Sequence, residues 1–271
     1  MQKSFFRSFA GLMSNTQQIQ LEFLGTGTSQ GVPVVACNCP VCLSANEKDK
    51  RLRASVMIEI EGLILVIDAG PDFRQQMLRV GLRKLDAILL THEHTDHIFG
   101  LDDIRAFNWV QHHPMDIYAE ERVQESVRRV FNYVFSKYQY PGIPQMNLHS
   151  VENKPFLIGP VPVMPVRGYH HKLPVYGFRI GKMAYLTDIK TIEAVETEKL
   201  ADLDVLIVNA LRIEKHISHF SLDEAIELIN EVKPKKAFLT HISHLMGLHD
   251  EVQRQLPPNV FLAWDGLRLT I

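Results

Sequence analysis

The sequence predicts a layered α/β fold, on two observations. Short strand-like segments alternate with helix-like ones from residue 19 to residue 271, and 46% of residues are apolar against 22% charged, enough to fill a core between packed layers. A length of 271 residues suits one large domain of this class, expected over residues 19–271.

Residues 1–18 read as a dispensable tail. The apolar run from Phe5 to Met13 is broken by Arg7 and Ser8, and no small-residue cleavage site follows, so an export signal is not expected. Residues 19–24 alternate like a first strand and stop at Gly25-Thr26-Gly27-Thr28, a turn that lacks the Gly-Lys-Ser ending of a phosphate loop. Residues 54–60 and 63–67, joined by Glu61-Gly62, read as a hairpin. Asp68-Ala69-Gly70-Pro71-Asp72 then opens a helix near Phe73, with Asp and Pro suited to its first turn. Residues 85–90 form an apolar run read as a buried strand, and 101–110 and 120–138 are helical by periodicity. Tyr140-Pro141-Gly142-Ile143-Pro144 breaks structure and is expected on an accessory loop near the site. Strands are expected near 161–166, 175–180, 182–187 and 205–208. A helix opens at Ser221, with Glu224 three residues on as a capping box. Residues 237–240, 260–263 and 267–271 supply the last strands.

The chemistry concentrates in Thr91-His92-Glu93-His94-Thr95-Asp96-His97-Ile98-Phe99-Gly100, directly after the run at 85–90. Three imidazoles and two carboxylates at a strand mouth are costly to bury without partners. Metal binding accounts for them together, since neutral imidazole and carboxylate ligate zinc, manganese or iron. On a turn, His92 and His94 can face one way while Asp96 and His97 face the other, as for two adjacent ions.

This His-x-His-x-Asp-His pattern after an apolar strand resembles the signature of the metallo-β-lactamase superfamily of hydrolases, and the resemblance covers roughly residues 20–271. It implies a four-layer αβ/βα sandwich whose later strand ends add a third His, a bridging Asp and a final His. The third His is His170 or His171. The His-x-Lys-Leu-Pro pattern of related sequences puts His170 in the ligand slot. Asp188 is the implied bridge and His241 the last ligand. One ion would then take His92, His94 and His170, and a second Asp96, His97 and His241. Two such cations, zinc or manganese, make a shared hydroxide available near neutral pH. The glycine turn after residue 24 fits the superfamily's tight first turn. Asp68 is expected to orient a ligand from behind, with helix capping as the alternative. His219, ahead of Leu222-Asp223-Glu224-Ala225, resembles the general-acid His of phosphodiesterase members; a histidine of ordinary pKa, about 6.5, can donate a proton at neutral pH. Lys172 is read as a phosphate contact or a solvated lysine, His216 as structural, His112, His113 and His149 as surface or packing residues. A hairpin turn suffices for Asp265.

All three cysteines lie in Cys37-Asn38-Cys39-Pro40-Val41-Cys42. An odd number so tightly spaced suits metal better than disulfides. A tetrahedral structural zinc needs one more ligand, expected to be His244, with His249 as the alternative. A Cys-rich loop with such a His resembles the subgroup of PhnP-like cyclic phosphodiesterases.

The reading is therefore a dinuclear phosphodiesterase with Asp96 and Asp188 holding the ions, His219 as general acid, and one structural zinc. Its expected substrate is a small, cyclic or linear, phosphodiester. The nearest competitor is an RNA-processing endonuclease of the tRNase Z type. A net charge of −2 and no Lys-rich arm disfavour nucleic acid. A thioesterase of the glyoxalase II type would append a helical domain, a secreted β-lactamase would carry an export signal, and a non-catalytic zinc module would be expected to lose ligands. No run approaches the ~20 apolar residues of a membrane span. A cytoplasmic location is expected, and a homodimer is left open.

Overall fold

The computed structural model describes residues 18–138 and 140–271, so the expected N-terminal tail lies, but for Gln18, outside the described residues. Two mixed sheets face each other. The first contains β1 (Gln20–Gly25), β2 (Ser55–Ile60), β3 (Leu63–Ile67), β4 (Ala87–Leu89), β5 (Met115–Ala119), β6 (Met146–Ser150) and the last strand β15 (Arg268–Thr270), in the order β15-β1-β2-β3-β4-β5-β6. The second contains β7 (Phe156–Ile158), β8 (Val161–His170), β9 (Leu173–Ile180), β10 (Met183–Leu186), β11 (Thr191–Ile192), β12 (Val205–Asn209), β13 (Lys236–Thr240) and β14 (Val260–Leu262). Its order is β11-β8-β9-β10-β12-β13-β14, with β7 paired to β8. In each sheet an antiparallel half gives way to a parallel one, at β3–β4 and at β10–β12. Parallel strands need crossovers, and helices supply them, which is why β4 and β12 are buried along their whole length.

Residues from both sheets share one core, with Phe23, Ile58 and Leu65 clustered with Tyr176, Phe178 and Phe238. Helices Phe73–Val80, Arg105–Gln111 and Glu121–Val130 cover the first sheet through Phe73, Met77, Phe107, Val123 and Val127. Helices Leu222–Val232 and His249–Gln253 cover the second through Ala225, Leu228, Ile229 and Val252. The architecture is the four-layer αβ/βα sandwich. Among the described residues no helix is long and apolar enough to cross a membrane.

Local chemistry explains most elements. Glu61 and Gly62 both take positive φ, 51° and 74°, as the two-residue turn between β2 and β3 requires. The capping box forms as expected: Ser221 accepts from the Glu224 N–H while the Glu224 carboxylate accepts from the Ser221 N–H. Other expectations need correction. The helix expected at 120–138 ends at Val130, because Phe131-Asn132-Tyr133-Val134-Phe135-Ser136 are poor helix formers and Phe131 and Val134 bury themselves in turns instead. The helix expected at 101–110 starts as a tighter turn, Phe99–Ile104, and becomes α-helical at Arg105. Asp72 flanks the helix Phe73–Val80 but does not cap it; its carboxylate accepts from the Arg53 backbone N–H at 2.8 Å and pairs with the Arg53 guanidinium. Directly after the 140–144 break, Gln145 exchanges hydrogen bonds with Asn108 of the helix Arg105–Gln111. Asp265 does more than turn the chain: half-buried, it accepts from the Thr26 hydroxyl at 2.7 Å and from the Leu52 N–H at 2.8 Å. Thr26 in turn accepts from the fully buried Arg51 at 2.8 Å, so this cluster ties the first turn to the chain end.

One close approach sets the shape of the functional edge. A Cβ on Gly70 would lie 2.0 Å from the Asp96 carbonyl, because the segment after β3 presses on the turn after β4. Gly70→Ala should therefore push that turn outward and destabilise the fold by about 1–3 kcal/mol, as overpacking usually does. A thermal melt checks this; an unchanged melting temperature would show that the turn yields freely.

Candidate metal centre

The site lies where the parallel strands of both sheets end, the edge at which open α/β sheets place ligands. Asp68 follows β3, the His92–His97 turn follows β4, Asp188 follows β10 and His241 follows β13. Asp68, Asp188 and His241 are non-glycine residues at positive φ, 65°, 57° and 54°, so each strand end is bent sharply to aim its side chain into the edge.

The structure gathers the expected residues into two adjoining groups. In one, the ligand atoms of Asp96, His97, Asp188 and His241 all lie within 4.8 Å of one another. His97 Nε2 is 3.2 Å from a carboxylate oxygen of Asp96 and 3.2 Å from Asp188 Oδ2, while His241 Nε2 is 3.2 Å from Asp188 Oδ1. In the other, the His92 ring centre is 4.6 Å from His94 and 5.9 Å from His170, with His94 and His170 5.1 Å apart. Asp188 stands between the groups, since it also clusters with His170 and His219. Of the two candidates for the third His, His170 faces the cluster, and His171 sits exposed in the β8–β9 turn at φ 56°.

Does this set suit a cation? His92 Nε2, His97 Nε2, His170 Nδ1 and both nitrogens of His241 are buried without a hydrogen-bond partner. Leaving so many polar atoms unpaired in one place is costly, and coordination would satisfy one nitrogen of each ring. The protonation states also suit ligation. Burial pushes His92 well below the usual imidazole range, keeping it neutral. Burial opposes ionisation of Asp188, but His241 and His97 outweigh it and hold the carboxylate well below its usual range. Burial likewise opposes a charge on His97, which the carboxylates of Asp96, Asp68 and Asp188 nevertheless raise well above its usual range. A cation held by His97 would displace that proton.

Asp68 organises this half of the site from behind. Completely buried, it accepts from His97 Nδ1 at 2.7 Å, from the Thr91 hydroxyl at 2.9 Å and from the Thr91 N–H at 2.9 Å. Thr91 spends its only proton on Asp68, so at 3.0 Å its oxygen accepts from His92 Nδ1. One carboxylate thereby fixes the tautomers of two histidines and leaves Nε2 of each free to ligate. The sequence did not single out Thr91; its place directly before the first His was the available signal.

His219 lies over the cluster, its ring centre 4.9 Å from His241 and 4.4 Å from His170. Its expected ordinary pKa is corrected. Burial pushes it down to about 3 against the pull of Asp188, so the imidazole is neutral in the chain by itself. His216 sits 5.2 Å beyond, its Nδ1 accepting from the Ser218 N–H at 3.3 Å. Lys172 is exposed in the β8–β9 turn. His112 ends a helix, His113 bonds to the Pro114 carbonyl, and His149 pairs with Asp116 at 2.9 Å, all apart from the candidate ligands.

A second group forms between Cys37, Cys39, Cys42 and His244. The three sulfurs lie 3.2, 3.3 and 3.5 Å from one nitrogen, His244 Nδ1. A single imidazole nitrogen can make one hydrogen bond, whereas a tetrahedral cation accounts for all three contacts. The Cys42 N–H pulls the Cys39 thiol down to about 6, while burial pushes Cys42 up to about 11. His249, the alternative, is elsewhere: its Nδ1 faces Arg51 at 3.2 Å and its N–H donates to Asp49 at 2.7 Å.

These arrangements predict two outcomes. Asp68→Asn should weaken metal binding by roughly 10–100-fold, the usual effect of losing a partner behind a ligand. Competition with a chromophoric chelator measures it, and unchanged affinity would remove Asp68 from that role. Cys39→Ser should lower both the metal content of the thiol group and the melting temperature, because binding at such a site is coupled to folding. Elemental analysis and a thermal melt matching the parent chain would reject a metal there.

Comparison with known proteins shows the family and the fold. The model of the β-lactamase superfamily domain matches residues 64–242. A solved diphosphatase from the PhnP family superposes with a TM-score of 0.88 at 40% identity, covering 94% of this chain and 97% of that one. A Porphyromonas gingivalis (strain ATCC BAA-308 / W83) protein named octanoyltransferase is 45% identical over 251 residues, covering 92% of this chain and 51% of that protein. The ribonuclease Z of Lactobacillus acidophilus is 27% identical over 173 residues, covering 60% of this chain and 48% of the enzyme. The chain thus spans about half the length of the curated relatives it matches. With a family match over more than half its length, this chain belongs to the β-lactamase superfamily, a metal-dependent and mostly hydrolytic family of the metallo-β-lactamase fold.

Proposed function

We propose that the chain is a two-metal phosphohydrolase of the PhnP-like subgroup, cleaving a small phosphate diester. The observation that carries this is Asp188, which clusters with Asp96, His97 and His241 on one side and with His170 and His219 on the other. The ions, zinc or manganese, would be held by His92, His94 and His170 on one side and Asp96, His97 and His241 on the other. When bound, such a pair supplies a water acidic enough to attack at neutral pH and neutralises charge on the phosphoryl oxygens. The remaining work falls to the protein. Asp68 and Thr91 keep the His97 and His92 lone pairs aimed inward. His219 gives its proton to the departing oxygen as the phosphorus–oxygen bond breaks. An anionic substrate beside it favours the charged imidazole that burial alone disfavours. The thiol group, holding one zinc, would fasten residues 37–42 to His244. Three free thiols suit a reducing compartment, and we place the protein in the cytoplasm.

The solved diphosphatase brings a second substrate class, the phosphoanhydride. The two differ in their leaving groups. A ribose alkoxide needs a proton to depart, whereas a phosphate monoester, with a second pKa of about 6, leaves readily as an anion. The name octanoyltransferase belongs to a protein about twice as long. Acyl transfer would need a free nucleophile, and the three thiols here converge on His244 instead. A ribonuclease activity would call for a basic surface, which a net charge of −2 does not favour.

Two variants test the reading. Asp188→Ala should abolish most turnover and lower bound metal while leaving the fold intact; full activity on bis(p-nitrophenyl) phosphate with unchanged metal content would reject the shared ligand. His219→Ala should cost about 10²–10⁴-fold on esters with alkoxide leaving groups, the usual worth of general acid catalysis, and little on p-nitrophenyl esters or phosphoanhydrides. Equal losses across all three would make His219 a positioning group.

A further inference from the structure

The three histidines assigned to one ion come from different sheets. His92 and His94 sit on the turn after β4, and His170 ends β8. Their spacing depends on how those two segments are held against each other. Between His92 and His94 stands Glu93, whose carboxylate meets the Arg122 guanidinium. Arg122 is the second residue of the helix Glu121–Val130, and its other terminal nitrogen donates to the Pro174 carbonyl at 2.7 Å. Pro174 is the cross-strand partner of Tyr169, next to His170. A backbone bond spans the same gap, from the Tyr176 N–H to the Thr91 carbonyl at 3.1 Å. Glu120 braces the guanidinium from the side, at 3.3 Å. The second Glu93 oxygen and Arg122 Nε are buried without partners, so Glu93 relies on Arg122 for compensation.

We propose that Arg122 is a positioning residue for the three-histidine half of the metal centre. Its planar fork grips Glu93 on the ligand turn and Pro174 on the ligand hairpin at once, and so sets the distance between His92, His94 and His170. Two acceptors in different directions suit a guanidinium; a lysine offers one point charge and cannot hold both. Asp68 holds His97 directly and reaches the three-histidine half only through Thr91 and His92, whereas Arg122 meets that half alone, so Arg122 acts on one ion and not the other. The proposal rests on His92, His94 and His170 being ligands of a single ion.

The experiment uses the full chain, cleared of catalytic ions and titrated with Co2+, read by its visible absorption. It is run in two parents: His241→Ala, which keeps the three-histidine half, and His94→Ala, which keeps the other. Adding Arg122→Gln should raise the Co2+ dissociation constant roughly 10–100-fold in the first parent and leave it unchanged in the second. Arg122→Lys should behave like Arg122→Gln. Should Arg122→Gln fold poorly, Glu93→Gln cuts the same clamp from its other end and should give the same selective loss. Unchanged affinity in the His241→Ala parent, or equal weakening in both, overturns the proposal. If neither parent binds Co2+ outside the thiol group, the metal-centre reading itself fails and takes this proposal with it, a result distinct from loss of selectivity.

Discussion

One buried carboxylate sets the conditions for the rest of the functional edge. Asp68 has no exposure to solvent, and an isolated charge there would be very costly. Three donors offset that cost: the Thr91 N–H, the Thr91 hydroxyl and His97 Nδ1. Burial still pushes Asp68 above the usual carboxylate range, against the opposing pull of His97. Once Asp68 is placed, His97 has only Nε2 left, Thr91 has only a lone pair to show His92, and His92 too must present Nε2. The tautomers of two candidate ligands thus follow from the position of one side chain at the end of β3.

Holding that side chain requires a backbone that most residues avoid. Asp68, Asp188 and His241 each stand just past a strand with φ between 54° and 65°, a conformation that costs a non-glycine residue about 1–3 kcal/mol. Such strain persists where the surroundings over-determine it. Here the two sheets do so, since β3, β10 and β13 are buried toward their C-terminal ends and fixed by neighbours on both sides. The same bend converts a strand, whose side chains alternate across the sheet, into a platform whose last residue points along it.

The sequence shows the candidate ligands more plainly than it shows what aims them. His92, His94, Asp96 and His97 are legible because polar residues so crowded after an apolar strand have few other uses, and the capping box at Ser221 is legible because its physics is local. Asp188 and His241 are single residues at strand ends, readable only through resemblance to a family. Thr91, Asp265 and Arg122 act through contacts across 23, 239 and 52 residues, which no local pattern encodes. The early end of the helix at Val130 shares that origin in part: the apolar periodicity continues through weak helix formers, and Phe131 and Val134 find burial in turns that only the assembled layers provide. His219 illustrates a different limit. Its position was readable, but its protonation depends on burial beside His241 and His170, which exists only in the folded chain.

The two candidate metal groups share a short segment, His241 to His244, and its anchoring keeps them mechanically separate. Ile242, almost wholly buried, donates its N–H to the Thr26 carbonyl at 2.9 Å and accepts from the Thr28 N–H at 3.1 Å. Ser243 donates both its N–H and its hydroxyl to the Leu211 carbonyl, at 2.9 and 2.8 Å. Four hydrogen bonds therefore pin the two residues between His241 and His244, from the first turn on one side and from the end of β12 on the other. His241 keeps its place through this clasp whether or not the thiols engage His244. The thiol group consequently acts on the loop that carries Cys37, Cys39 and Cys42, fastening it beside the edge, while the ligand geometry of the main centre is set by the strand ends themselves.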